Sequence, residues 1–137
     1  MLASGTSLAQ TCADPLPLTS NNTHTGTTCG GQVGIDLGGI PLVHPSIVFS
    51  FVADSASGNI VTSGDPTISA VIAPDCSTAP ILIGNTISLD GPELVDGQNY
   101  LFIVTSEELS APDPQICGEF NVVTGTLPVE LQSFSID

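Results

Sequence analysis

Short runs of apolar and β-branched residues, each bounded by turn-forming residues, follow one another along this chain. Residues 46–53 (Ser-Ile-Val-Phe-Ser-Phe-Val-Ala) form the clearest run, and residues 99–106 form another that is rich in aromatic and β-branched side chains. No stretch places apolar residues at helical spacing across three turns. The pattern therefore predicts an all-β protein.

The predicted strands are short and are separated by Gly, Pro, Asn and Asp turn signals: residues 16–20, 23–29, 46–53, 59–63, 67–73, 81–83, 86–89, 99–106 and 118–124. We expect the first two to pair as a hairpin around Asn21-Asn22, and residues 30–45 to form a Gly-rich loop. Strands of this number and spacing predict a jelly-roll-like antiparallel β-sandwich. The domain prediction is an N-terminal extension or signal remnant (1–10), the sandwich (11–124) and a C-terminal strand or linker (125–137).

The charge balance is extreme and narrows the range of partners. The chain carries fourteen Asp and Glu residues but no Lys or Arg, which gives a net charge of -14. Such a body repels nucleic-acid phosphates and anionic membrane surfaces. Because 41% of the residues are apolar, the chain is not an acidic disordered tail, and no window is apolar enough for membrane insertion.

The four cysteines, Cys12, Cys29, Cys76 and Cys117, predict two disulfides and an oxidising compartment. Of the three pairings, the expected one joins Cys12 to Cys29 and Cys76 to Cys117, because the members of each pair flank strands expected to be neighbours. A zinc site or free thiols are the alternative, but no Cys-x-x-Cys is present and neither histidine is at ligand spacing from a cysteine.

Six short fragments occur in a distinctive order: Cys12-Ala-Asp-Pro-Leu-Pro-Leu18, Gly26-Thr-Thr-Cys29, Val48-Phe-Ser-Phe51, Pro74-Asp-Cys-Ser77, Leu94-Val-Asp-Gly-Gln-Asn-Tyr100 and Cys117-Gly118. Over about residues 11–124 this series resembles the bacterial pre-peptidase C-terminal (PPC) type of β-sandwich. The resemblance implies a secreted, non-catalytic accessory module attached to peptidases or large surface proteins. Residues 126–134 (Thr-Leu-Pro-Val-Glu-Leu-Gln-Ser-Phe) resemble the LPVEL-type linker that begins the next module or sorting region in bacterial surface proteins.

Candidate catalytic residues are few. His24 lies in a Thr-rich polar strand and His44 precedes Pro45 in the Gly/Pro loop, so both are expected to be solvated surface residues. No Gly-x-Ser-x-Gly motif is present, and no cationic side chain exists to stabilise an oxyanion. The sequence therefore predicts that the protein is not an enzyme.

Two candidate ligand or modification sites remain. Asp90, Glu93 and Asp96 place three carboxylates within one turn region, which suits calcium, although the sequence favours a solvated turn as the explanation. No other cofactor is expected. Asn21 begins an Asn-x-Thr sequon and is a candidate for glycan attachment.

The C-terminal segment is apolar enough to form a strand. Val129 and Leu131 share one face of that strand, whereas Phe134 and Ile136 fall on the other. We predict an extracellular or cell-surface structural subunit whose partners are copies of itself, joined by donation of a terminal strand into a filament or surface polymer. The alternative is a monomeric calcium- or carbohydrate-binding accessory or adhesion module. Sugar binding is disfavoured because the chain has no Trp and its single Tyr, Tyr100, lies in a predicted core strand.

Overall fold

The computed structural model describes residues 11–19, 21–53, 58–65, 68–88, 94–95, 97–106 and 117–125. Within these ranges there is no helix, and the all-β prediction is confirmed. The strands in chain order are β1 (Leu16–Pro17), β2 (Thr23–Thr27), β3 (Ile35–Leu37), β4 (Ile40–Leu42), β5 (Ile47–Val52), β6 (Asn59–Asp65), β7 (Ile68–Ala73), β8 (Leu82–Gly84), β9 (Thr86–Ser88), β10 (Asn99–Ser106) and β11 (Glu119–Thr124).

Two main sheets share one core, giving a β-sandwich-like arrangement. Sheet I has the strand order β1-β5-β10-β7-β8, and sheet II has the order β2-β11-β6-β9. All pairs in the two sheets are antiparallel except β1 with β5. The specific jelly-roll topology stays a prediction, and the predicted terminal strand extensions lie outside the described residues.

The central strands of sheet I are buried on both faces. On β10, Phe102 lies opposite Phe49 and Ile72 and faces the core shared with sheet II. The next residue, Ile103, faces a second apolar cluster on the opposite side of the same sheet. Burial on both faces explains why these strands are continuous apolar runs rather than alternating ones.

A hairpin covers that second cluster, and here the loop prediction for residues 30–45 is wrong. Strands β3 and β4 pair with Leu37 opposite Ile40, joined by Gly38-Gly39 at φ 60° and 101°. Positive φ at both central residues is what a two-residue hairpin turn requires, and glycine adopts it without strain. Leu37 and Leu42 are fully buried on sheet I.

The predicted hairpin between residues 16–20 and 23–29 is also wrong. β1 pairs with β5 in sheet I, whereas β2 pairs with β11 in sheet II. The segment between them crosses from one sheet to the other, because Leu18 is fully buried in the shared core and its N–H donates to the Ser50 carbonyl at 2.9 Å.

The crossing also decides the disulfides. The four cysteines form two disulfides as expected, but they join Cys12 to Cys76 and Cys29 to Cys117, so the expected pairing is wrong. Cys12 precedes β1 and Cys76 follows β7, and both of these strands belong to sheet I. Cys29 follows β2 and Cys117 precedes β11, and these two strands are neighbours in sheet II. Each disulfide therefore fastens one sheet.

Candidate functional site

The β2 strand is an edge of sheet II. On its β11 side, the Thr28 N–H donates to the Gly118 carbonyl and the Asn22 carbonyl accepts from Thr124 N–H, both at 2.9 Å. Hydrogen-bonded and non-hydrogen-bonded pairs alternate along an antiparallel ladder, so the even-numbered residues of β2 bond to β11. The backbone N–H and C=O groups of Thr23, Thr25 and Thr27 therefore point toward the other edge, with which no strand pairs in the described part of the chain.

Both ends of this edge are fixed by local contacts. At the start, Asn21 adopts φ 50° and the Asn22 side-chain oxygen accepts the Thr23 N–H at 2.8 Å. At the other end, the Thr27 hydroxyl accepts the Cys29 N–H at 3.1 Å, and Cys29 is held to Cys117 by the disulfide. The open edge is thus a five-residue segment held by contacts at both ends.

The other sheet edges formed by described residues are shorter. β1 has two residues, of which Pro17 has no N–H, and β8 and β9 have three residues each. Short strands and proline are common ways of blunting an edge against pairing with another chain. By this comparison β2 is the edge best able to accept a further strand.

The inner face of β2 packs against aromatic rings. His24 is half-buried, its ring lies 5.7 Å from that of Phe49, and its Nε2 atom accepts the Thr19 N–H at 3.2 Å. Gly26, two residues on, has no side chain, and the Phe120 ring lies 3.1 Å from where a Cβ would be. The Phe120 ring therefore covers this glycine on the inner side of the open edge.

The outer face of sheet II carries a shallow groove of about 530 Å³. Its lining residues are Thr25, Gly26, Thr27, Ser63, Gly64, Glu119, Phe120 and Asn121. Hydroxyl, carboxamide and carboxylate groups can bind a neutral polar ligand, whereas the negative charge of the chain disfavours an anion. Within the described ranges no group of three His, Cys, Asp or Glu side chains could hold a metal ion.

The chain leaves sheet II from its interior rather than from an edge. Beyond β11, the Gly125 N–H donates to the Asn59 carbonyl at 3.0 Å, and the Gly125 carbonyl accepts the Asn21 N–H at 2.8 Å. The chain thus continues the ladder between β2 and β6 up to the end of the sheet. Residues 126–137 follow from this point.

Several predicted site residues lie outside the described residues: Asp90, Glu93, Asp96, Val129, Leu131, Phe134 and Ile136. The calcium site and the polymer contact therefore stay predictions. Asn21, the candidate glycosylation site, is exposed in the turn before β2.

The histidines are not both solvated, contrary to expectation. His44 is 0% exposed, and its carbonyl accepts a hydrogen bond from the Ser46 hydroxyl at 3.0 Å. Leu42, His44, Ser46 and Val48 are all buried, so the alternation of strand β4 continues through Pro45 into β5. That period-two pattern is present in the sequence, but the Gly/Pro signals around it obscured it.

Tyr100 is buried, as the core-strand prediction requires. It is 2% exposed, its ring stacks on Phe51 at 5.9 Å, and its hydroxyl accepts the Val95 N–H at 2.9 Å. This ring is therefore unable to serve as a surface platform for a sugar.

Asp75 anchors the turn that carries Cys76. Its carboxylate accepts hydrogen bonds from the backbone N–H and the hydroxyl of Ser77, at 2.8 and 3.0 Å. The backbone hydrogen bond from Ser77 is the main reason why the pKa of Asp75 lies below its ordinary value, because it favours the ionised form. The group fixes a turn and takes no part in a cleft.

The sequence did not identify the β2 edge as a functional feature. Its Thr-His-Thr-Gly-Thr run signals a polar strand, but nothing local shows whether that strand lies at the edge or in the middle of a sheet.

The described residues also contain no helix long and apolar enough to cross a membrane. Compared with known proteins, the chain matches no family model, no curated protein and no solved structure.

Proposed function

We propose that this chain is a non-catalytic extracellular structural subunit, which self-assembles by donating its C-terminal segment to a neighbouring copy. The observation that carries the proposal is the position of Gly125 between Asn21 and Asn59. Because β11 already has a neighbour on each side, no place beside it is vacant for the residues that follow. Our proposal is that residues 126–137 pair with the sheet of another subunit.

The disulfides support the extracellular placement, since such bonds persist in oxidising compartments. The resemblance to PPC-type secreted modules, which we carry forward as part of this proposal, points the same way and is compatible with a β-sandwich-like fold. Donation of one copy's tail to the next is a heterologous contact, which builds a filament unless the rotation between subunits closes a ring.

The environments of the two histidines support a non-catalytic role. His44 is buried among core residues, and the ring of His24 is engaged by Thr19 and Phe49. With no Lys or Arg in the chain, a cationic side chain to stabilise a developing negative charge would have to come from elsewhere.

A monomeric carbohydrate-binding module is the second candidate. The groove on the outer face of sheet II favours it, because hydroxyl, carboxamide and carboxylate groups converge there. Against it stands the burial of Tyr100, the chain's one tyrosine, in the absence of any tryptophan. Calcium-dependent binding through Asp90, Glu93 and Asp96 is a variant of this candidate.

Removal of residues 126–137 is expected to give soluble, folded monomers. The donated segment would be gone, while every strand pair described here would be retained. Circular dichroism reports folding and sedimentation velocity reports assembly, with the unmodified full-length chain as the control, which should assemble. Unfolding or aggregation on truncation would show that the tail completes its own sandwich, and an unchanged assembly state would show that the tail is a linker.

Assembly is also expected to strengthen with ionic strength. Subunits of net charge -14 repel one another, and raising salt from about 0.01 M to about 1 M shortens the Debye length from about 30 Å to about 3 Å. The concentration at which polymers first sediment should fall accordingly. A comparison of calcium chloride with sodium chloride at equal ionic strength distinguishes specific cation binding from screening. If the concentration at which polymers first sediment does not depend on salt, the electrostatic argument is contradicted.

A further inference from the structure

We infer that the open edge of β2 is the acceptor for this donated strand, and that it pairs with residues 129–132 of a second copy. The inference rests on the proposed function and adds the site at which the tail binds. The backbone groups of Thr23, Thr25 and Thr27 point to that edge, and no other edge strand in the described ranges is as long.

The side-chain alternation of the tail matches that of β2. In the tail, apolar Val129 and Leu131 alternate with polar Glu130 and Gln132. In β2, the inward positions are His24 and Gly26, and the outward positions are threonines. Directly opposed residues in a sheet point to the same face, so one register places both apolar side chains inward and both polar ones beside threonine hydroxyls.

The inner face of β2 makes this register specific. The Phe120 ring covers Gly26, so an inward side chain of the neighbouring strand at this position would pack against that ring. A shift by one residue would instead direct Glu130 into that interior. Burying a carboxylate with no cation in the chain to pair with it is strongly unfavourable.

The register limits the length of the pairing. With Val129 and Leu131 opposite the two inward positions of β2, Glu130 and Gln132 lie opposite threonines, so four tail residues pair within the five-residue strand. Pro128 has no backbone N–H to donate, so continuous pairing begins at Val129. Neither β2 nor residues 129–132 contains a proline, and Glu130 is the one carboxylate brought to the edge.

The test uses the full-length chain with single substitutions on each side of the proposed contact. Thr25→Pro removes an N–H that points to the open edge and leaves the bonds from β2 to β11 in place. Thr25→Val keeps that N–H and is the matched control. On the tail, Leu131→Asp places a charge on the inward face, and Gln132→Asp places the same charge on the outward face.

We expect Thr25→Pro and Leu131→Asp each to raise the concentration needed for assembly at least about tenfold, whereas Thr25→Val and Gln132→Asp change it much less. Sedimentation measures this threshold, and circular dichroism checks that each variant is folded. If Thr25→Pro abolishes assembly but Leu131→Asp does not, two β2 edges pair with each other and the tail is not the donor.

Amide hydrogen exchange of the unmodified protein gives a second measurement that does not depend on a variant folding. Thr25 and Thr27 should exchange rapidly in dispersed subunits and at least about 100-fold more slowly in the assembled form. Protection already present in dispersed subunits would mean that the chain covers its own edge, which overturns the inference. Rapid exchange in both forms would show that β2 is not the acceptor, although the proposal of self-assembly would still hold. Failure of the unmodified protein to assemble at any salt concentration would overturn both the proposed self-assembly and the β2 acceptor.

Discussion

Replacing Phe49 with alanine is expected to destabilise the fold by about 3–5 kcal/mol. Phe49 is 1% exposed on β5 and lies opposite Phe102 in the register of sheet I. Its ring also meets Phe120 of sheet II edge-on, with centroids 6.2 Å apart. The substitution therefore removes apolar contacts within one sheet and an aromatic contact between the two, a geometry that contributes about 0.5–1.5 kcal/mol beyond area burial.

Urea unfolding followed by circular dichroism measures the effect. Because small domains have a free energy of unfolding of about 5–15 kcal/mol, the variant should be close to the limit of stable folding. Val123→Ala is the matched control, since Val123 is 45% exposed on β11 and its truncation should cost less than about 0.5 kcal/mol. A loss below about 1.5 kcal/mol for Phe49→Ala would contradict the central packing role given to this ring.

Removing the Cys29–Cys117 disulfide is expected to destabilise the fold by about 2–5 kcal/mol. The two cysteines are 88 residues apart in sequence, so the bond restricts a long loop in the unfolded chain. In the folded chain it joins the residues just beyond β2 to those just before β11, beside the bond from Thr28 N–H to the Gly118 carbonyl. The double variant Cys29→Ser with Cys117→Ser should therefore lose global stability and loosen the end of β2.

Chemical denaturation of this variant gives the change in the free energy of unfolding. The variant lacking Cys12–Cys76 is the natural comparison, because its separation of 64 residues predicts a similar loss without the effect on β2. Disulfide mapping can use pepsin, since trypsin has no Lys or Arg at which to cleave. A peptide linking Cys12 to Cys29 would contradict the connectivity, and equal fraying of β2 in the two variants would contradict the local role.

The local pattern of residues predicted most of the strands, because each strand contains its own signal. The boundaries expected for residues 99–106 coincide with β10. The predicted strand 46–53 extends one residue beyond β5 at each end, and the predicted strand 118–124 begins one residue before β11. The hairpin Ile35–Leu37 with Ile40–Leu42 was missed although Gly38-Gly39 lies between two alternating segments. Three-residue strands give too short an alternation to stand out from a Gly-rich loop.

The candidate site was predicted only on the donor side. The apolar alternation of Val129 and Leu131 is visible in sequence, but its structural outcome lies outside the described residues. The acceptor strand β2 could be identified only from the tertiary structure, because an exposed Thr-rich strand has the same sequence pattern at the edge of a sheet as in its middle. In the described residues β2 pairs with β11 on one side and with no strand on the other. This pairing shows that the backbone groups of Thr25 and Thr27 point to the open edge.

The sequence by itself determined the all-β class, the extreme negative charge and two disulfides from an even set of cysteines. The tertiary structure decided which sheet each strand joins, and with it the pairing of the cysteines. Leu18 shows the physical reason: its burial between the sheets carries the chain from sheet I to sheet II, so that Cys12 and Cys29 are assigned to different sheets. Strand formation follows from local periodicity, whereas strand pairing depends on contacts between residues far apart in sequence, which no local pattern encodes.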